Sequence, residues 1–429
     1  MNAQLLTTHD RDTTGTFATP TILIADSFSD NGVTRLRKLG CNVHLEPSLD
    51  EATLPEAVRN HQPNAIIVRS TKVPKAVFEA AEHLGLVVRA GAGYDTIDVA
   101  AASSLGISVA NCPGMNAIAV AELAWGLILS CDRRIPDQTA DLRRGVWAKK
   151  EYAKAAGLHG RTLGVIGVGR IGKEVASRGI AFGMKVIGWD PNLTESQADA
   201  IGIGYCQDLL NLVRMSDVIS IHVAAVRQTK HLVGPDFCEA MKPGATLINT
   251  SRGSVVDETA LSQAIKDKGV RAGLDVFADE PKAGDSIFAD AIMQERAVCG
   301  THHVGASTTQ AQDAIAGEAV RVIRTWMDTG TVLNCVNLAS STPASTILTV
   351  RHLNRPGVLA HVFEVLGRSD NNIEEMENVI YRGGEAAVAR IQIDGTVSAE
   401  DLALVRSHDA VLGATTATIR PPARTGDAP

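Results

Sequence analysis

The sequence predicts an α/β protein built on parallel sheets, with a smaller βαββαβ unit near its C-terminal end. Three observations predict it. Short Val/Ile-rich runs alternate with helical patterns from residue 21 to about residue 330, the rhythm of repeated βα units. A GxGxxG string, Gly167-Val168-Gly169-Arg170-Ile171-Gly172, joins a strand-like run to a helical one. After a Ser/Thr/Pro-rich stretch at 337–346 the pattern becomes strand, helix, strand, strand, helix, strand, which is the ferredoxin-like order.

The elements follow in order. Residues 1–20 are polar and lack a basic region followed by an apolar one, so they read as a flexible arm and not as a secretory signal. "TILIADS", "AIIVRS", "LVVRAG" and "ISVANCP" read as strands bounded by turn residues. "VPKAVFEAAEHLG" reads as an amphipathic helix closed by a glycine cap. A long helix covers 117–133. A second series opens at "RTLGVIGVGRIG" and continues through strands in "KVIGWD", "VISIHV", "ATLINTS", "VRAGLDVF" and "AVCGTH". A helix over 308–327 presents Ile315, Val322, Ile323 and Trp326 on one face. Beyond the linker come "TILTVRHL", a helix in "GVLAHVFEVLGR", strands in "IEEMENVIYR" and "EAAVARIQIDG", a helix from Ser398 and a strand in "ATTATIRP". The tail "ARTGDAP" reads as disordered.

Bulk properties narrow the function. The chain has 429 residues, 45% hydrophobic and 21% charged, with a net charge of -7. Charges of mixed sign give no bulk attraction to nucleic acid or to an anionic membrane. The longest apolar run, Ala117–Leu129, is broken by Glu122 and Gly126 and is too short to span a bilayer. Seven scattered cysteines, without a CxxC pair, read as reduced thiols of a cytoplasmic protein.

The GxGxxG string is a dinucleotide signal in this setting. Gly167 permits a tight turn, Gly169 lets the backbone approach a pyrophosphate, and Gly172 lets helix and strand pack closely. The phosphates sit on the unsatisfied N–H groups of the helix start, at Arg170 and Ile171. Asp190 ends the next strand; its carboxylate can hold ribose hydroxyls and repels a 2′-phosphate, and Pro191 stands where an NADP enzyme often carries Arg. The reading is therefore a Rossmann-type domain that takes NAD.

Oxidation of a 2-hydroxy acid needs a cation for the carboxylate, a base for the hydroxyl proton and a group that orients the base. Arg252 in "NTSRGSVVD" offers a planar fork for a carboxylate. His303 in "HHVGAST" is the candidate base, and Glu280 in "LDVFADEP" the orienting carboxylate. All three follow strand ends, on the sheet edge where open α/β folds bind ligands.

The strings "VRSTKV", "RAGAGYDTIDVAAASSLGISVANCPG", "AELAWGLIL", "LGVIGVGRIGKEVA", "INTSRGSVVD", "LDVFADEP" and "HHVGAST" resemble, in order, those of the D-isomer-specific 2-hydroxyacid dehydrogenases. "GAST" after the histidine resembles the members acting on phosphoglycerate. The resemblance implies that Arg252, Glu280 and His303 are the catalytic set, with His302 only a neighbour, and that Asp275 joins the cofactor site. It implies a flavodoxin-like substrate domain, 21–115 with 305–333, into which an NAD-binding domain, 116–304, is inserted. Arg69, Ser70, Lys72, Arg89, Gly91 and Asn111 would bind substrate, with Arg69, Lys72 and Arg89 as candidates for a phosphate. The implied reaction is oxidation of D-3-phosphoglycerate to 3-phosphohydroxypyruvate in serine biosynthesis. Alternatives are another D-2-hydroxy acid, reduction of 2-oxoglutarate, or a non-catalytic NAD-sensing corepressor. In the loop after "SIH", Ala224 and Ala225 stand where relatives usually have Pro.

"HLNRPGVL" resembles the first turn of an ACT domain, placed at 345–421. That likeness implies L-serine as effector, held by His352, Asn354 and Asn372, and a homo-oligomer, expected to be a tetramer.

Overall fold

The structure is a computed structural model that describes residues 19–281, 287–369 and 371–419. Most of the polar arm, the tail after 419 and the last residues of the 345–421 unit lie outside the described residues. The chain forms two compact units that divide between Asn337 and Leu338.

The first unit carries two parallel sheets. Strands β1 (Thr21–Ile24), β2 (Asn42–Leu45), β3 (Ala65–Val68), β4 (Leu86–Arg89) and β5 (Ser108–Asn111) pair in the order β2-β1-β3-β4-β5, the flavodoxin-like order. All four residues of β3 are buried, as expected of a strand covered on both faces. The helix Thr309–Thr329 packs its Ile315, Val322, Ile323 and Trp326 into one core with Ile22, Ile67 and Val88. Each such buried aliphatic side chain contributes about 1.5–3 kcal/mol. Thr308 caps this helix by accepting from the Ala311 N–H.

Two elements differ from the sequence reading. "NVHL" is a strand, β2, although its end residues are exposed and it shows no apolar run; it is held as a sheet edge by its ladder to β1. The helix read through "VPKAVFEAAEHLG" is only Lys75–Glu79. Beyond it the Gln62 side chain accepts from the Glu82 N–H at 2.9 Å and donates to the Ala80 carbonyl, competing with helical bonds.

The second sheet contains β6 (Thr162–Ile166), β7 (Lys185–Trp189), β8 (Gly204–Tyr205), β9 (Val218–Ile221), β10 (Thr246–Asn249), β11 (Arg271–Leu274) and β12 (Val298–Gly300). Their order is β12-β11-β10-β9-β6-β7-β8. β6 has β7 on one side and β9 on the other, so the direction of winding reverses there and leaves a crevice at the strand C-termini. The helix Ala117–Arg133 matches the expected span and covers one face, with Ala121, Trp125 and Ile128 in a core with Leu163, Val165 and Ile248.

The second unit contains β13 (Thr346–Leu353), a helix Val358–Leu366, β14 (Ile373–Ile380), β15 (Ala386–Ile393), a helix Ala399–Arg406 and β16 (Val411–Thr418). The antiparallel order β14-β15-β13-β16 is the ferredoxin-like arrangement. Alternate residues Leu348 and Val350 meet Val362, Val365 and Ile391 in its core.

Candidate active site

The crevice at the end of β6 holds the GxGxxG turn. Gly167 has φ +88°, and a Cβ there would lie 2.5 Å from the His222 carbonyl oxygen. A Cβ on Gly172 would lie 2.1 Å from the Gly167 carbonyl oxygen, so the helix Arg170–Ala181 packs on the turn only with glycine. Gly169 is its N-cap, and no side chain caps it, which leaves the first N–H groups open to an anion. Asp190 accepts from the Val168 and Asn192 N–H groups at 3.1 and 2.9 Å, so its carboxylate is fixed beside the turn. The Arg170 side chain donates to the Pro113 carbonyl, and Ile171 lines the cleft.

The cleft between the two sheets has a volume of about 850 Å³, the size of a cofactor pocket. Arg252, His303, Arg69 and Arg89 line it. Asn116 Oδ1, His222 Nδ1 and Thr250 Oγ1 are buried without a hydrogen-bond partner among the described residues, and their residues also line it. Buried polar atoms of this kind call for a ligand's polar groups, which fits a dinucleotide here.

His303 Nδ1 is 2.7 Å from Glu280 Oε2, and Glu280 Oε1 accepts the Phe277 N–H at 3.0 Å. A carboxylate only accepts, so the imidazole N–H sits on Nδ1 and Nε2 is the free base. Burial pulls the Glu280 carboxyl upward. The hydrogen bonds from His303 and Phe277, with the charges of His303 and Arg252, outweigh it and hold the group below the ordinary glutamate value. His302 is exposed and does not line the cleft.

The backbone at His303 is left-handed, with φ +52°. Buried Asp275 supports it: Oδ1 accepts from Thr301 Oγ1 at 2.6 Å and from the Val304 N–H at 2.9 Å. Its Oδ2 accepts from the Gly305 N–H at 2.9 Å. Asp275 also borders the cleft. Asn249 does the same for Arg252: its side chain donates to the Arg252 carbonyl and accepts from Ser251, shaping the turn after β10. Neither Asn249 nor Asp26 stands out in the sequence as a site residue. Asp26, at the end of β1, accepts from the N–H groups of Arg69, Ser70 and Thr71 and from the Ser70 hydroxyl at 2.7 Å.

The remaining expected substrate residues divide. Arg69 donates to Ser307 Oγ at 3.4 Å at the cleft edge. Arg89 is largely buried, and among the described residues its guanidinium has no hydrogen-bond or ion-pair partner; its Nε is orphaned. Burial, with Arg252 and Arg69 nearby, pushes its pKa down. Its guanidinium lies over Gly91. Lys72 is outside the cleft lining and pairs with Glu51 at 3.4 Å, because the Asp26-bound turn sends it outward. Asn111 is buried behind the cleft and does not line it; its amide donates to the Ala92 carbonyl at 2.6 Å and holds that loop.

In the second unit, His352 is buried. Its Nδ1 lies 2.8 Å from the Leu353 carbonyl and its Nε2 3.1 Å from Asn378 Oδ1, so the ring is spent within the sheet. Asn354 and Asn372 are exposed, bonded to the Gly384 carbonyl and to Glu374.

Fold and site together define a protein with a Rossmann-type NAD-binding domain. The NAD-binding domain of the D-isomer specific 2-hydroxyacid dehydrogenases matches residues 125–305. A D-3-phosphoglycerate dehydrogenase of Methanocaldococcus jannaschii is 39% identical over 309 residues, 71% of this chain and 57% of the relative. A hydroxypyruvate reductase of Thermotoga maritima is 42% identical over 282 residues, 65% of this chain and 88% of the relative. The NAD+-bound 3-phosphoglycerate dehydrogenase of Entamoeba histolytica superposes with a TM-score of 0.63 at 26% identity, covering 75% of this chain and 99% of that one. The chain belongs to the D-isomer specific 2-hydroxyacid dehydrogenase family. Its match covers 57% and 60% of the length of two curated archaeal phosphoglycerate dehydrogenases. No helix among the described residues is long and apolar enough to cross a membrane.

Proposed function

We propose that the chain oxidises D-3-phosphoglycerate to 3-phosphohydroxypyruvate with NAD. The observation that carries the choice of substrate is Arg89: a largely buried guanidinium with no hydrogen-bond or ion-pair partner among the described residues, in the same cleft as Arg252 and the His303–Glu280 pair. A buried cation is costly unless paired, so the cleft suits a substrate with a second anionic group. When bound, NAD supplies the hydride acceptor. Gly167, Gly169, Arg170, Ile171 and Gly172 cradle its pyrophosphate and Asp190 its ribose. Arg252 binds the acid's carboxylate and fixes the carbinol carbon. His303 Nε2 takes the hydroxyl proton, while Glu280 holds Nδ1 and stabilises the imidazolium that forms. In the reverse direction the same imidazolium returns the proton. Arg89 and Arg69 hold the phosphate, and closure of 21–115 with 305–333 against 116–304 excludes water.

The test is initial NADH formation with D-3-phosphoglycerate, D-glycerate and D-2-hydroxyglutarate. A clear preference for the phosphorylated acid is expected; a preference for D-glycerate would favour a second reading, hydroxypyruvate reduction, which the Thermotoga relative supports. For the second unit we propose an ACT-type sensing role with L-serine as effector and a tetrameric assembly. Its strand order and the exposed Asn354 and Asn372 support this, while His352 serves as scaffold. Inhibition of turnover by L-serine, absent in Asn354→Ala, is the expected result.

A further inference from the structure

Asp95 stands beside two of the guanidiniums of the cleft, those of Arg252 and Arg89. Asp95, in the loop after β4, places Oδ1 3.2 Å from Arg252 Nη2. The contact crosses the cleft, since Arg252 follows β10 of the other sheet. Gly93 lies beneath it: a Cβ there would fall 2.5 Å from Arg252 Nη2 and 2.8 Å from Asp95 Oδ1. The ion pair therefore closes over a bare Cα. Partial burial raises the Asp95 carboxyl, but the charge and hydrogen bond of Arg252, with Arg89 behind, hold it below the ordinary aspartate value.

Resting on the reading that Arg252 takes the acid's carboxylate, we propose that Asp95 is a resident stand-in for that carboxylate. It occupies Arg252 in the empty cleft and yields it when a 2-hydroxy acid binds. The geometry suits an exchange. Arg252 Nη1 gives one of its two hydrogens to the Ser251 carbonyl at 2.8 Å, and the Nη2 contact with Asp95 is its link across the cleft. The Asp95 side chain is 58% exposed, so it can turn to water without burying an unpaired charge. A single-contact, exposed pair is weak. A substrate carboxylate that reaches the fork with two parallel bonds in a closing cleft holds it better. The stand-in keeps Arg252 ordered, discourages adventitious anions and lowers the apparent affinity for every carboxylate ligand. Asp95 thus sets a threshold at the carboxylate site: an acid must displace it to bind.

The experiment titrates oxalate calorimetrically into the full chain saturated with NADH, using wild type, Asp95→Asn, Asp95→Ala and Arg252→Met. Both Asp95 variants should bind oxalate about two- to fivefold more tightly than wild type, the range set by removing a weak competing pair. Arg252→Met should bind it far more weakly. Unchanged oxalate affinity in Arg252→Met would remove the premise that Arg252 is the carboxylate site. A loss in Arg252→Met with unchanged or weaker binding in both Asp95 variants would overturn the stand-in itself; weaker binding would make Asp95 an anchor for Arg252. Two variants are used because Asn retains an oxygen that can still accept from Arg252, whereas Ala does not.

Discussion

Glu280→Gln isolates the role of the carboxylate behind His303. Its Oε1 accepts the Phe277 N–H at 3.0 Å and its Oε2 lies 2.7 Å from His303 Nδ1. Glutamine can keep the first bond through its amide oxygen. It then offers an N–H where His303 Nδ1 met an acceptor. The imidazole must take the other tautomer, with its proton on Nε2, and the base facing the substrate is gone. General acid–base catalysis contributes about 10²–10⁴-fold, so kcat should fall within that range while NAD affinity holds. Stability should change little, by less than about 1 kcal/mol, because the pair is part-exposed and screened. The sign of its pH dependence follows from the lowered Glu280 pKa. The stability this carboxylate lends is fully present above its unfolded pKa, about 4.3, and is lost as pH falls through its lower folded value. Glutamine should remove that acid dependence. The assay is steady-state turnover with D-3-phosphoglycerate, alongside NADH binding by fluorescence and thermal melts at several pH values. Wild-type kcat in the variant, or a loss confined to NAD affinity, would refute the tautomer argument.

Further outcomes follow from the same geometry. His303→Gln should lose turnover while keeping NADH binding, and His302→Gln should behave as wild type; equal losses would mean that the base has been assigned to the wrong histidine. Arg89→Met should raise KM for the phosphorylated acid about 10- to 100-fold, the scale of a charged hydrogen bond, with little effect on D-glycerate. Comparable losses on both substrates would deny Arg89 its phosphate. Asp190→Asn should weaken NAD about tenfold and let NADP compete, read by fluorescence titration of both reduced cofactors; unchanged discrimination would place the ribose elsewhere.

Much of the fold was legible because its signals are local. β3, β6, β9 and β10 are Val/Ile/Leu-rich runs of four or five residues, and each is almost wholly buried between helices. The helix Thr309–Thr329 shows its buried face at the helical period and its cap at Thr308. β2 was not legible, because an edge strand with exposed ends is held by ladder bonds to β1 that leave no mark on its composition. The helix Lys75–Glu79 is shorter than its sequence pattern for a related reason: Gln62, 18 residues from Ala80, takes over the backbone groups where the helix would have continued.

The site divides along the same line. Arg252, Glu280 and His303 stand out only in combination, behind the GxGxxG turn and in the order of the resembled family, and the chain does bring their loops together. What escapes the sequence is the set of polar residues that aim them. Asp275 reads as a cofactor residue, yet three of its acceptor sites are spent on the turn that carries His303. Asn249 looks like an ordinary strand end, yet it shapes the turn that presents Arg252. Asp26 fixes the backbone from which Arg69 reaches the cleft, and in doing so sends Lys72 away from it. Each supports a residue from another loop, and that pairing has no periodicity along the chain. The left-handed backbone at His303 shows why such support is needed. A non-glycine residue at φ +52° is strained by on the order of 1 kcal/mol, and a relaxed turn would swing the imidazole away from Glu280. The three bonds to Asp275 outweigh that strain. Asp275→Ala should therefore cost turnover through His303 even where the cofactor still binds.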